Sequence, residues 1–316
     1  VTGATAKLLL VSRPLELWAS PLGVSLYAGL ACLLFQYAQA GTNDFSYFWV
    51  AARALVTGGN PYAAVEAMGS YPLYYPGPAV LVLAPFGLLP ERVGWLLFAL
   101  VSGTLFGLAV ERRPELAPAV LSASFLEAVG YGQWPPLLVA GAVVPGLGWM
   151  LATKPSVGLA LFAWRPSWPT VSLMALLAIA ATLLLPSWPA DWLRALERTN
   201  HVVPVLRPWG WILLLAALRW RTPEGRLMLA LALVPQTTAL HGALPLFLVC
   251  RDRREGYLLA GLSFLVAFGQ DMVPRTGSLE GDLAARWPVI FAGLWLPALG
   301  LALSRRRGAT SGPGTT

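Results

Sequence analysis

The sequence predicts an all-α membrane protein, a polytopic transmembrane helix bundle of about 12 (10–12) membrane helices, and three observations predict it. Hydrophobic residues make up 57% of the chain and charged residues only 12%, with a mean hydropathy of +0.63; a soluble domain carries about 25% charge. Apolar stretches recur from Pro21 to Ser304, divided by short segments that collect Arg, Pro, Gly and Trp. No stretch between them has the composition of a separate soluble domain, so residues 1–304 read as one membrane domain. The basic residues gather in the short dividers, where they set orientation and meet lipid headgroups. That accounts for the net charge of +7 without nucleic acid. An ordinary soluble enzyme is excluded.

Lys7 and Arg13 precede the first apolar run, which continues to Ala40 without a small-residue cleavage site; it reads as a retained span, not a signal peptide. The expected spans are residues 21–40, 76–89, 93–110, 115–130, 134–151, 155–164, 169–186, 208–219, 226–241, 242–250, 257–270 and 287–304. A full crossing takes about 20 apolar residues. Several of these are shorter, and short or Pro-interrupted helices persist where protein or a cavity covers their ends. With Lys7 and Arg13 in the cytoplasm, this count puts Arg92, Arg165 and residues 219–226, 251–254 and 305–307 there as well, and both termini with them. Arg112 and Arg113 fall outside as the misfit. Residues 305–316 form a basic cytoplasmic anchor and a disordered tail.

Outside the membrane this arrangement leaves residues 41–78, 187–207 and 271–286. In the first of these loops, Asn43 or Asp44 can cap a helix whose apolar face is Phe45, Phe48, Trp49, Ala52, Leu55 and Val56. Gly58 and Gly59 end it. An amphipathic interfacial helix of this kind rests on the outer leaflet and presents Asp44 at the interface.

Few residues are equipped for chemistry. Asp44 serves either as a helix cap or as a general base. Lys154 is one of two lysines in the chain and stands at a helix break before Pro155, where an ammonium either snorkels or binds a phosphate. His241, at the outer end of an apolar run, either holds a structural hydrogen bond or donates to a phosphate or hydroxyl. Glu127, inside an apolar segment, calls for a structural partner. Gln133 falls on the cytoplasmic side or in a re-entrant turn. The stretch WPADWLRALERTNHVVPVLRPWG holds Asp191, Arg194, Arg198, His201 and Arg207 among tryptophans, suited either to lipid phosphates or a sugar, or to a plain surface helix. Tyr62, Tyr71, Tyr74 and Tyr75 either stack on sugar faces or anchor the first loop. Cys32 and Cys250 are isolated, with no CxxC, so neither a disulfide framework nor a metal site is indicated, and no cofactor is implied.

The segments NDFSYFWVAARALVTGGNPY (43–62) and YPLYYPGPAVLVLAPFGLLP (71–90) resemble the start of the bacterial polyprenol-phosphate-mannose-dependent mannosyltransferases, a family with the GT-C membrane fold. GQWPPLL (132–138), ATKPSVGL (152–159) and PQTTALHGALP (235–245) are similar to later family segments, so the resemblance spans most of the chain. It implies a GT-C bundle, a lipid-linked sugar phosphate donor, and an acidic base in the first extracytoplasmic loop, which here is Asp44. Sugar transfer would then invert the anomeric carbon. Cations at the leaving phosphate replace any need for a metal; Lys154, His241 and Arg207 are the expected phosphate ligands. Tyr62, Tyr74, Tyr75 and His201 are the expected contacts of the sugar or of a glycolipid, glycan or protein acceptor. The expected location is the bacterial cytoplasmic membrane, in keeping with arginine-rich, lysine-poor usage, with the active site facing outward. A transporter or flippase is the main alternative, opposed by the lack of an inverted repeat and by polar residues gathered near one face. A noncatalytic subunit retaining the fold is the other, and in it Asp44 would be dispensable.

Overall fold

A backbone in apolar surroundings must satisfy its own N–H and C=O groups, and a helix does so within one segment. The computed structural model describes residues 17–38, 43–69, 71–198 and 202–304, and these contain helices and turns but no strand. Lys7, Arg13 and residues 305–316 lie outside the described residues. Three helices are long and apolar enough to cross a membrane: Pro21–Ala38, Glu91–Arg112 and Glu280–Leu303. The pair Trp168–Leu184 and Trp188–Glu197, bent by 100°, makes up to four.

Of the expected bundle of about 12 membrane helices, the other apolar segments among the described residues are shorter than a full crossing takes. Gly77–Gly87, Pro155–Trp164, Gly210–Arg219 and Leu240–Val249 are apolar but short. Gly210–Arg219 and Leu240–Val249 are 3-10 helices, whose rise of about 2.0 Å per residue carries ten residues about 20 Å. Residues 115–130 are interrupted where Ser122 caps the helix Ala123–Gly130, accepting from Phe125 N. A π-turn at Phe291–Trp295 joins Leu279–Ile290 to Leu296–Leu303.

The two spans Pro21–Ala38 and Glu91–Arg112 lie antiparallel and close. A Cβ at Gly107 would come within 2.5 Å of Pro21 Cα, and one at Gly103 within 2.8 Å of the Val24 carbonyl oxygen. At the other end Gln36 donates from Nε2 to the Arg92 carbonyl at 3.1 Å. Everything from residue 43 to residue 90 thus begins and ends at one pole of the molecule, and Glu91–Arg112, 22 residues or about 33 Å long, leads to the opposite pole.

Two sequence expectations change places as a result. Segment 76–89 is no crossing: Gly77–Gly87 is 11 residues and turns back against the loop helix Asp44–Val56, where a Cβ at Gly87 would meet the Ala52 backbone at 2.5 Å. Arg92 therefore sits at the loop's pole, not with the other arginines. Arg112 and Arg113 join them. At that far pole the contacts close a ring. The Arg113 guanidinium lies 5.0 Å from the Trp164 ring, and Arg226 donates to the carbonyls of Ala163 and Trp164. Arg219 donates to Leu303 O, Arg251 to Ser304 Oγ, and Arg253 to Pro114 O, next to Arg113.

The loop helix also departs from expectation. Gly58, at φ +79°, ends it as the sequence suggests, but its apolar face meets protein instead of lipid. Phe45 and Phe48 are buried against Trp95, Phe98 and Trp134. Trp49 donates to Leu89 O and Arg53 to Gly87 O. The helix that runs along the surface of this pole is Trp188–Glu197, with Leu193 exposed and Asp191 and Ala195 turned inward.

Because the neighbours of Gly103 are the Ala28 Cβ and the backbone of Val24 and Ser25, none can swing aside. Gly103→Leu is expected to cost about 1–3 kcal/mol, read as a lower Tm in detergent. Gly261→Leu, at a position whose Cβ would meet nothing within 4 Å, leaves Tm nearly unchanged.

Candidate active site

The site begins with a capping choice. Asn43 takes the N-cap: its Oδ1 accepts from Phe45 N at 2.8 Å and Ser46 N at 3.3 Å, while Ser46 Oγ accepts from Asn43 N at 3.1 Å. This reciprocal box satisfies the exposed donors of the helix start. Asp44 is consequently released from capping, and its carboxylate is free for another partner.

That partner is Gln133, whose Nε2 donates to Asp44 Oδ2 at 2.6 Å. Gln133 arrives there because Gly132 adopts φ +66° directly after the helix Ala123–Gly130, in a turn where a Cβ would strike Phe45 at 2.9 Å. Any side chain at Gly132 would meet both a strained backbone and a ring. Gln133 is 5% exposed, and its Oε1 accepts from the Tyr75 hydroxyl at a long 3.4 Å. Tyr75 packs edge-on against Phe48 at 4.7 Å. Its opposite contact is Lys154, with Nζ 5.7 Å from the ring centroid, inside cation–π range. Lys154 stands between the 3-10 helix Gly148–Thr153 and the helix Pro155–Trp164, and among the described residues it has no hydrogen bond or ion pair.

His241, in the first turn of Leu240–Val249, approaches Glu127 Oε1 through Nδ1 at 3.3 Å. Both groups act on Asp44. Its carboxyl is pushed above the usual carboxylate range, first by withdrawal from bulk water and further by the Glu127 charge, while His241, the Gln133 bond and Lys154 pull it back down. The residue nonetheless remains open to solvent. Burial and the Asp44 charge hold the Tyr75 phenol above its ordinary range, so it stays a donor. The arrangement offers one accessible carboxylate positioned by an amide, flanked by an ammonium and an imidazole. It can take a proton at Asp44 while holding an anion between Lys154 and His241. Among the described residues no three or more His, Cys, Asp or Glu side chains group as metal ligands.

Of the sequence-derived residues, Asp44, Lys154, His241 and Tyr75 come together. Tyr62 does not point into this group: it is 7% exposed, and its hydroxyl donates to the Tyr75 carbonyl at 2.9 Å. Tyr74 lies on the other side of that segment, its carbonyl accepting from Trp192 Nε1 at 3.0 Å. Arg207 flanks Pro208, whose carbonyl accepts from Trp287 Nε1; no bond links it to Asp44, and its Nε is buried without a partner. His201 lies outside the described residues. Gln133 and Glu127 belong to the group although sequence reasoning set both aside, Gln133 because the span count put it at the wrong end. The Gly-Gln-Trp-Pro-Pro run at a helix break was the available signal. Compared with family models, curated proteins and solved structures, the chain matches none.

A raised carboxyl pKa has a stability consequence with a definite sign. The unfolded chain ionises Asp44 near its ordinary value of about 3.9, whereas the folded chain holds the proton to higher pH. Asp44's contribution to stability is therefore greatest at low pH and falls as pH rises from the unfolded pKa through the folded one. Asp44→Asn cannot ionise and can still accept from Gln133. The Tm of this variant is expected to exceed that of wild type by a margin that widens as pH rises above about 4; a constant or reversed margin would contradict the desolvation.

Proposed function

We propose that the protein is a polytopic membrane glycosyltransferase of the GT-C type, working at the extracytoplasmic face of a bacterial cytoplasmic membrane. More particularly, it moves a hexose, with mannose favoured, from a polyprenyl-phosphate donor to a hydroxyl of a glycolipid, glycan or protein acceptor. The observation that carries this reading is Asp44, released from capping by Asn43 and held by Gln133 beside Lys154 and His241. The resemblance of residues 43–62 and 71–90 supports the same donor. Sidedness follows from the arginine ring: by the positive-inside tendency its pole faces the cytoplasm, which turns the Asp44 pole outward and keeps both ends of the described chain with the arginines.

The chemistry needs a base and an anion site. Asp44 accepts the proton of the acceptor hydroxyl as that oxygen attacks the anomeric carbon. The bond from that carbon to the phosphate oxygen breaks on the opposite face, and its electron pair leaves with the polyprenyl phosphate, so configuration inverts. The Lys154 ammonium and an N–H of His241 stabilise the departing oxygens. Partial desolvation makes Asp44 a stronger base than an exposed aspartate, while Gln133 fixes Oδ2 and leaves Oδ1 for the proton. Glu127 holds His241 in place through its contact with Nδ1 at 3.3 Å.

Purified protein in nanodiscs, given a synthetic polyprenyl-phosphate mannose and a panel of membrane glycolipids, is expected to transfer sugar. Asp44→Asn is expected to lower kcat by about 10²–10⁴-fold, the usual contribution of a general base, with donor binding retained. Equal rates in the two proteins would remove Asp44 from the chemistry. No transfer by wild type from any sugar donor would favour the transporter or noncatalytic readings.

A further inference from the structure

Beside the Asp44 site, and separate from it, a crevice of about 190 Å³ opens between the short helix Pro61–Glu66, the segment around Pro72 and Leu73, and the surface helix Trp188–Glu197. Its walls are polar to an extent unusual for this chain. Asp191 is 8% exposed; its Oδ2 accepts from Asn60 Nδ2 at 3.0 Å, and its other oxygen is paired with Arg194. Glu66 and Arg198 are paired across the opening, and Tyr62 closes the inner side.

Three properties narrow the ligand. Two acids face two bases, so the crevice presents no net sign and does not select an anion. Its lining holds both donors and acceptors in Asn60, Glu66, Asp191, Arg194 and Arg198, which suits a ligand that offers both, as sugar hydroxyls do. Its volume is well below the roughly 300–1,000 Å³ of pockets for drug-sized ligands, enough for a sugar ring and too small for a polyprenyl chain. Its location adds a fourth. Pro72 and Leu73 form its wall, and Tyr75, three residues beyond Pro72, belongs to the Asp44 group. Tyr62 ties the two sides together through its bond to Tyr75 O.

We propose that this crevice is an acceptor subsite that binds one neutral hexose unit of a growing oligosaccharide or glycolipid headgroup while a neighbouring unit presents its hydroxyl to Asp44. The assignment rests on the transferase reading for its role but not for the binding itself. It gives the enzyme a preference for acceptors of two or more sugars, because a single sugar reaches Asp44 without filling the crevice. It also gives the surface helix a function: its pairs with Asn60 and Glu66 shape the site.

Ala63 lines the crevice from an exposed helical position, so Ala63→Trp fills it without disturbing the core. The test measures binding of mannotriose, mannose and mannose 6-phosphate to the full chain in nanodiscs by saturation-transfer NMR and titration calorimetry, in wild type, Ala63→Trp and the exposed-site variant Glu66→Gln. Mannotriose is expected to bind wild type more tightly than mannose, and to lose about 10-fold or more in Ala63→Trp, equivalent to about 1.4 kcal/mol, with a smaller loss in Glu66→Gln. In the transfer assay Ala63→Trp then raises KM for the mannotriose acceptor and leaves KM for the lipid donor unchanged. Equal mannotriose affinity in wild type and Ala63→Trp, no binding by wild type, or tighter binding of mannose 6-phosphate than of mannotriose would each overturn the subsite. Absence of transfer with intact, Ala63→Trp-sensitive mannotriose binding would instead sink the transferase reading and leave a saccharide-binding crevice.

Discussion

The close antiparallel contact between Pro21–Ala38 and Glu91–Arg112 is the constraint on which the remaining architecture depends. Gly103 and Gly107 let the two backbones approach until a Cβ at either position would collide with its partner, and in apolar surroundings such small-residue contacts supply much of the packing between helices. Once these spans are side by side, the segment joining them must leave and return at one pole. The loop helix, its capping box and Gly77–Gly87 are then confined to that pole, and Glu91–Arg112 delivers Arg112 and Arg113 to the other. A single packing contact thereby separates a pole rich in arginine from a pole carrying Asp44.

The Asp44 group illustrates how local and long-range effects combine. Capping is local: Asn43 and Ser46 satisfy the helix start within four residues. What Asp44 does with its freedom is decided 89 residues away, by Gln133, and Gln133 is aimed by the left-handed turn at Gly132. Removing bulk water from around the carboxyl raises its proton affinity, while His241, Lys154 and the Gln133 amide keep that rise in check. The proton affinity of Asp44 is thus set by opposing effects of groups far apart in the chain. The neighbouring crevice extends the same pole with paired charges of both signs.

Short helical segments are part of the same design. A ten-residue 3-10 helix such as Leu240–Val249 rises further per residue than an α-helix, at the expense of poorer hydrogen bonds. It is sustained here because most of its side chains are buried in the bundle, so its ends meet protein. Its first turn brings His241 beside Glu127. Irregular backbone near the site thus supplies polar groups where continuous lipid-facing helices would have none.

Composition and the spacing of apolar runs were sufficient to identify an all-α chain with helices long and apolar enough to cross a membrane, because apolar surroundings impose that pattern along the chain. Local chemistry was equally legible in Asn43, Asp44, Gly58 and the helix breaks at Lys154 and Gly132. Sequence reasoning failed where length alone had to decide whether a segment crosses: residues 76–89 have the composition of a span, and only their packing on Asp44–Val56 shows that they turn back. With that crossing removed, Arg92 lies at the loop's pole and Arg113 at the other. The tertiary structure also decided that Asp44 meets Gln133, that Glu127 pairs with His241, and that Asp191 is buried beside Asn60. These depend on contacts between residues far apart in the chain, and a one-dimensional pattern of hydrophobicity and charge does not specify which distant segments will pack together.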